Sequence, residues 1–155
     1  MIQREKLRHS DGRVTEDRGL LCRTVIEEAK KGKIEIVTSA LCLVEVCKSP
    51  DLKSDDPQKI ADFFENDYVL LVNLDKIVGE RARELMMVGY SKLKPPDACH
   101  LATAAVAPNV AELHTFDSKL LALDERVEKS DKTLLRVRKP NVGGQPGLFD
   151  APDGG

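Results

Sequence analysis

Tryptophan is absent from this chain, and aromatic residues make up only 4% of its 155 residues. Modules that grip single-stranded nucleic acid by stacking bases on exposed rings are therefore excluded, and any such contact would run through phosphate. The four cysteines, Cys22, Cys42, Cys47 and Cys99, form no CxxC pair, and three of them lie in apolar runs. That pattern favours reduced, buried thiols over disulfides or zinc ligands and points to a cytoplasmic location. No apolar stretch approaches the roughly 18 residues of a bilayer span, and Met1-Ile2-Gln3-Arg4-Glu5-Lys6 lacks an apolar signal core, so no membrane association is expected. Several catalytic signatures are missing too: GxxxxGK[ST], GxGxxG after a strand, GxSxG and HExxH.

An excess of one charge is also lacking, with 24 basic against 26 acidic residues. The distribution is uneven: residues 1–33 carry a net +3 and residues 34–123 a net −5. A basic patch is the usual footprint of a nucleic-acid binder. An acidic body means either that nucleic acid is irrelevant or that the acids hold metal ions. At 41% hydrophobic and 32% charged residues the composition suits one domain over residues 1–140. The tail 141–155 has too little apolar content to offset its ordering entropy and is expected to be disordered.

Apolar periodicity then divides the domain. Residues 17–31 read as a helix, with Leu20, Leu21, Val25 and Ala29 on one stripe and Gly32 after its end. The β-branched residues 34–38 read as a strand, and Ser39 caps a helix over residues 40–47. Asp56-Pro57 opens a helix ending near Asp67, and the apolar residues 68–72 read as a strand buried on both faces, the habit of a parallel sheet. Residues 75–90 form an amphipathic helix whose Met86-Met87 pair fills core. Asp97 opens an alanine-rich helix reaching Ala107, residues 111–115 form a strand, 118–123 a short helix and 133–137 a last strand. Strands and helices alternate, so the class is α/β.

Three acids could carry chemistry. Glu45 sits among Leu41, Val44, Val46 and Cys47, where an ionised carboxylate is costly without a positive companion; a surface pair with Lys48 is the plain alternative. Asp97 in a first helical turn suits the helix dipole as a cap, and His100 one turn on suits packing or hydrogen bonding better than metal. Asp117 follows a strand, at the end where parallel sheets bind ligands, and could equally cap the helix from Ser118.

The ordered set Thr38-Ser39 with Glu45, Pro95-Pro96-Asp97-Ala98-Cys99-His100-Leu101-Ala102-Thr103-Ala104, and Thr115-Phe116-Asp117 resembles PIN-domain nucleases, in particular the VapC-like toxins. The likeness runs from about Gly32 to Leu123. It implies a three-layer α/β fold with a parallel sheet flanked by helices, and a Mg²⁺- or Mn²⁺-dependent endoribonuclease that is the toxin of a toxin-antitoxin pair. Glu45, Asp97 and Asp117 would be catalytic metal ligands, with Ser39 and Thr115 orienting those carboxylates. Water would attack phosphorus in line, cation charge stabilising the leaving 3′ oxygen and leaving a 5′-phosphate. Implied partners are an RNA substrate, an antitoxin protein and a second copy of the chain in a homodimer.

One part of the pattern is missing. A PIN domain begins with a central apolar strand ending in an Asp, and neither the polar residues 1–7 nor Asp11 or Asp17 supplies it. Two expectations compete: a further strand upstream of Met1, or a degenerate, non-catalytic relative that binds a protein partner or RNA. Separately, Gln145, Leu148 and Phe149 resemble the QxxLF peptide that docks on bacterial sliding clamps, against the plainer reading of a disordered tail with two apolar residues.

Overall fold

The computed structural model of the chain describes residues 6–8, 14–46, 57–88, 90 and 92–142. It is a mixed α/β structure, as the alternating pattern requires. Residues 143–155, with the clamp-like peptide and most of the tail, lie outside the described residues, as do Cys47, Lys48 and Asp56.

An antiparallel hairpin comes first, β1 (Lys6–Arg8) and β2 (Val14–Asp17), with a register shift between Leu7 and Arg8. The polar sequence gave no sign of it. Asp17 then caps α1 (Arg18–Lys30), its Oδ1 accepting from the Leu20 N–H at 2.9 Å. The helix ends where Gly32 takes φ 72°, a left-handed turn open to glycine without strain.

Strand β3 (Ile36–Ser39) pairs in parallel with β4 (Val69–Val72), Ile36 opposite Val69 and Ser39 opposite Val72. Between them lie α2 (Cys42–Glu45) and α3 (Pro57–Phe64). Ser39 is the last strand residue and not a helix cap: its Oγ accepts from the Leu41 N–H at 3.2 Å and holds the turn into a one-turn α2. Helix α3 stops at Phe64, three residues short of Asp67, because the Asn66 side-chain amide turns back to the carbonyls of Asp62 and Phe63. The expectation that β4 is buried on both faces is corrected: Val69 is buried but Leu70 is 47% exposed. Among the described residues strand β4 pairs only with β3, and Leu70 stays open to solvent.

Helix α4 (Lys76–Met87) begins at Asp75, whose Oδ1 accepts from the Val78 N–H at 3.0 Å. Val78, Ala82 and Leu85 form its buried stripe, while Ile77 and Met87 face solvent, so only Met86 of the methionine pair meets the core. Helix α5 (Pro95–Val106) starts two residues before Asp97, with the two prolines in its first turn, where a missing N–H costs nothing. Ala98, Leu101, Ala102 and Ala105 are almost wholly buried, and this small-residue surface lets α5 pack closely on α4 and reach both β3 and β5.

The second parallel pair is β5 (Glu112–His114) with β6 (Arg136–Arg138), separated by α6 (Ser118–Leu121). The last strand starts later than the apolar residues 133–137 suggest. Leu135 is spent instead on bonds to Val127 and Glu125, with its side chain in the core. Among the described residues the two parallel pairs do not hydrogen-bond to each other, and α5 packs against both. No helix among the described residues is long and apolar enough to cross a membrane.

Leu101→Ala in the wholly buried face of α5 should cost about 2–5 kcal/mol in urea unfolding, whereas Leu70→Ala on the exposed side of β4 should cost about 1 kcal/mol or less. Equal losses would contradict this placement of the core.

Candidate metal centre

The three expected acids come from separate elements: Glu45 ends α2, one short turn beyond β3, Asp97 lies in the first turn of α5, and Asp117 caps α6 just past β5. Helix α5 packs against both β3 and β5.

The contact tying these segments together runs between Glu45 and His100: His100 Nε2 lies 2.6 Å from Glu45 Oε2, both side chains half-buried. This is the positive or hydrogen-bonding companion that the apolar setting of Glu45 demands. Cys42, one turn before Glu45 on α2, completes the cluster, since its Sγ, a Glu45 carboxylate oxygen and a His100 ring nitrogen all lie within 4.8 Å of one another. Thr38 Oγ1 donates to Cys42 Sγ at 2.9 Å.

Asp97 makes no side-chain cap; Lys94 holds the cap position of α5 without a side-chain bond, and among the described residues the Asp97 carboxylate has no recorded hydrogen-bond or ion-pair partner. The capping role it could have taken is not realised. Asp117 does cap, its Oδ1 accepting from the N–H groups of Lys119 at 2.8 Å and Leu120 at 3.1 Å. Thr115 Oγ1 accepts from the Asp117 N–H at 3.0 Å, so Thr115 steadies the Asp117 main chain, much as Ser39 steadies the turn before α2. Neither hydroxyl touches a candidate carboxylate in these bonds.

Glu45, Asp97 and Asp117 do not together form a set of ligand atoms within 4.8 Å; the set that does is Cys42, Glu45 and His100. Mutual repulsion of like charges favours such a spread of carboxylates. Sequence reasoning set Cys42 among reduced, buried thiols rather than metal ligands and gave His100 packing or hydrogen bonding rather than metal. The available signals were weak: Cys42 and Glu45 at i, i+3 on one short helix, and Asp97 and His100 at i, i+3 on another.

Charge around the cluster is mixed. Burial, reinforced by the negative charge of Glu45, pushes the Cys99 thiol above its usual value. Near Asp117, the Arg18 guanidinium sits 4.9 Å from the centre of the Phe116 ring and also bonds Glu16. Burial works against the Glu16 carboxylate, yet hydrogen bonds from Lys139 and Arg18 outweigh it and hold its pKa below the usual range. The hollow beside Gly32, Ile34, Asn66 and Tyr68 lies at the opposite, N-terminal end of β3 and β4. In comparison with known proteins, no family model, no curated protein and no solved structure matches the chain.

Because Glu45 contributes to the raised Cys99 pKa, Glu45→Gln should move the midpoint of the Cys99 alkylation rate to lower pH, as followed by peptide mass spectrometry. An unchanged or higher midpoint would contradict the proximity of the two groups.

Proposed function

We propose that the chain is a PIN-type, Mg²⁺- or Mn²⁺-dependent endoribonuclease, the toxin of a cytoplasmic toxin-antitoxin pair. The observation that carries this reading is the contact of Glu45, past the end of β3, with His100, which lies one turn after Asp97 on α5.

The donor set fits a hard cation. Asp97 has an uncommitted carboxylate, Asp117 uses one oxygen in its cap and keeps the other, and Glu45 offers a carboxylate oriented by His100. A bound divalent cation would supply positive charge to the leaving 3′ oxygen and lower the pKa of an attacking water. The residues themselves do the positioning. Asp97 is fixed by a proline-opened helix start, Thr115 sets the backbone from which Asp117 projects, and His100 holds Glu45 by a hydrogen bond.

Exposed Leu43 and Val44 on α2, beside Glu45, supply apolar surface suited to an antitoxin helix. The alternative, a non-catalytic relative that only holds a partner, draws on the spread of the three carboxylates.

The chain should cleave single-stranded RNA only with Mg²⁺ or Mn²⁺, and Asp97→Asn should lower the rate about 100-fold or more. Metal-independent cleavage, or an unaffected Asp97→Asn, would reject the nuclease. Stable capture of a helical partner without turnover would favour the binding module.

A further inference from the structure

The geometry points to a second kind of metal site: Cys42 Sγ, Glu45 carboxylate and His100 Nε2 form a three-ligand site for a borderline-soft transition ion of the Zn²⁺ class. The proposal does not depend on nuclease activity. It rests on the one set of His, Cys and acidic groups among the described residues whose ligand atoms all lie within 4.8 Å of one another.

The chemistry of the donors chooses the ion. A thiolate and an imidazole discriminate against Mg²⁺ and Ca²⁺, which take oxygen, and suit Zn²⁺, Co²⁺ or Cd²⁺. In a tetrahedral site with bonds of about 2.0–2.3 Å, ligand atoms stand roughly 3.3–3.8 Å apart. The Glu45–His100 pair at 2.6 Å must open slightly, and Cys42 Sγ must stay or draw in, changes within the reach of half-buried side chains. Three protein ligands leave a fourth position for water, the pattern of an open site rather than a closed structural one.

The surroundings are prepared for a thiolate. Thr38 Oγ1 already donates to Cys42 Sγ, a bond that strengthens when the sulfur becomes charged and that fixes its direction. On binding, the Cys42 S–H bond breaks, its proton passes to solvent and a metal–sulfur bond forms. Coordination through Nε2 and the Glu45 carboxylate displaces the hydrogen that bridges them, which moves to Nδ1 of the ring or to solvent. No electron is transferred. Two segments are tied together by the ion: α2 supplies Cys42 and Glu45, and α5 supplies His100.

The test titrates Co²⁺ into the reduced full-length chain, then adds Zn²⁺. A thiolate-to-cobalt charge-transfer band should grow to one equivalent and vanish as Zn²⁺ displaces the probe. Cys42→Ser should abolish the band, His100→Gln should weaken Co²⁺ affinity at least tenfold, and Cys99→Ser should leave both unchanged. Far-UV circular dichroism verifies that each variant is folded. If Cys42→Ser does not fold, ¹¹³Cd NMR of the wild-type chain decides, with a single resonance expected for one sulfur and nitrogen or oxygen ligands. Absence of the charge-transfer band, its survival in folded Cys42→Ser, its loss in Cys99→Ser, or a cadmium resonance without sulfur would each overturn the proposal.

Discussion

The burial of α5 is the constraint on which the rest of the structure depends. Its alanines let it pack against α4 on one side while reaching β3 and β5 on the other, two strands that share no hydrogen bonds with each other. Small side chains bring backbones close, and Leu101, wholly buried, supplies the apolar bulk. The same helix presents Asp97 and His100 from its first turns, so packing and chemistry are set by one element.

Periodicity made the helical part of the fold legible. Asp17 and Asp75 stand at the two helix starts as caps, Val78, Ala82 and Leu85 are buried at the spacing that predicted them, and the proline pair fits the first turn of α5 although it reads like a loop. The strands were less legible. An uninterrupted apolar run such as Val69–Val72 signals burial on both faces only if the sheet continues on both sides, and among the described residues β4 pairs with β3 alone. The hairpin of β1 and β2 is polar and held by pairing, so it left no hydrophobic signature.

The candidate site was legible in part for a related reason. Glu45, Asp97 and Asp117 could be picked out in order along the chain. The partner of Glu45 could not be read, because His100 lies 55 positions away and meets it only through the packing of α5 beside β3. The exposed Asp117 takes the helix cap that was one of its two readings, while Asp97, in the more natural capping setting, is left uncommitted.

An overall acidic middle segment, half-buried Glu45 and uncommitted Asp97 together describe a surface that gains by gathering positive charge. The central claim is that one divalent cation serves all three carboxylates. Paramagnetic broadening by Mn²⁺ in ¹H–¹⁵N spectra tests it most directly. The account predicts that substoichiometric Mn²⁺ broadens amides around Glu45, Asp97 and Asp117 in concert; broadening confined to one of these segments, or scattered across the surface acids, would contradict it.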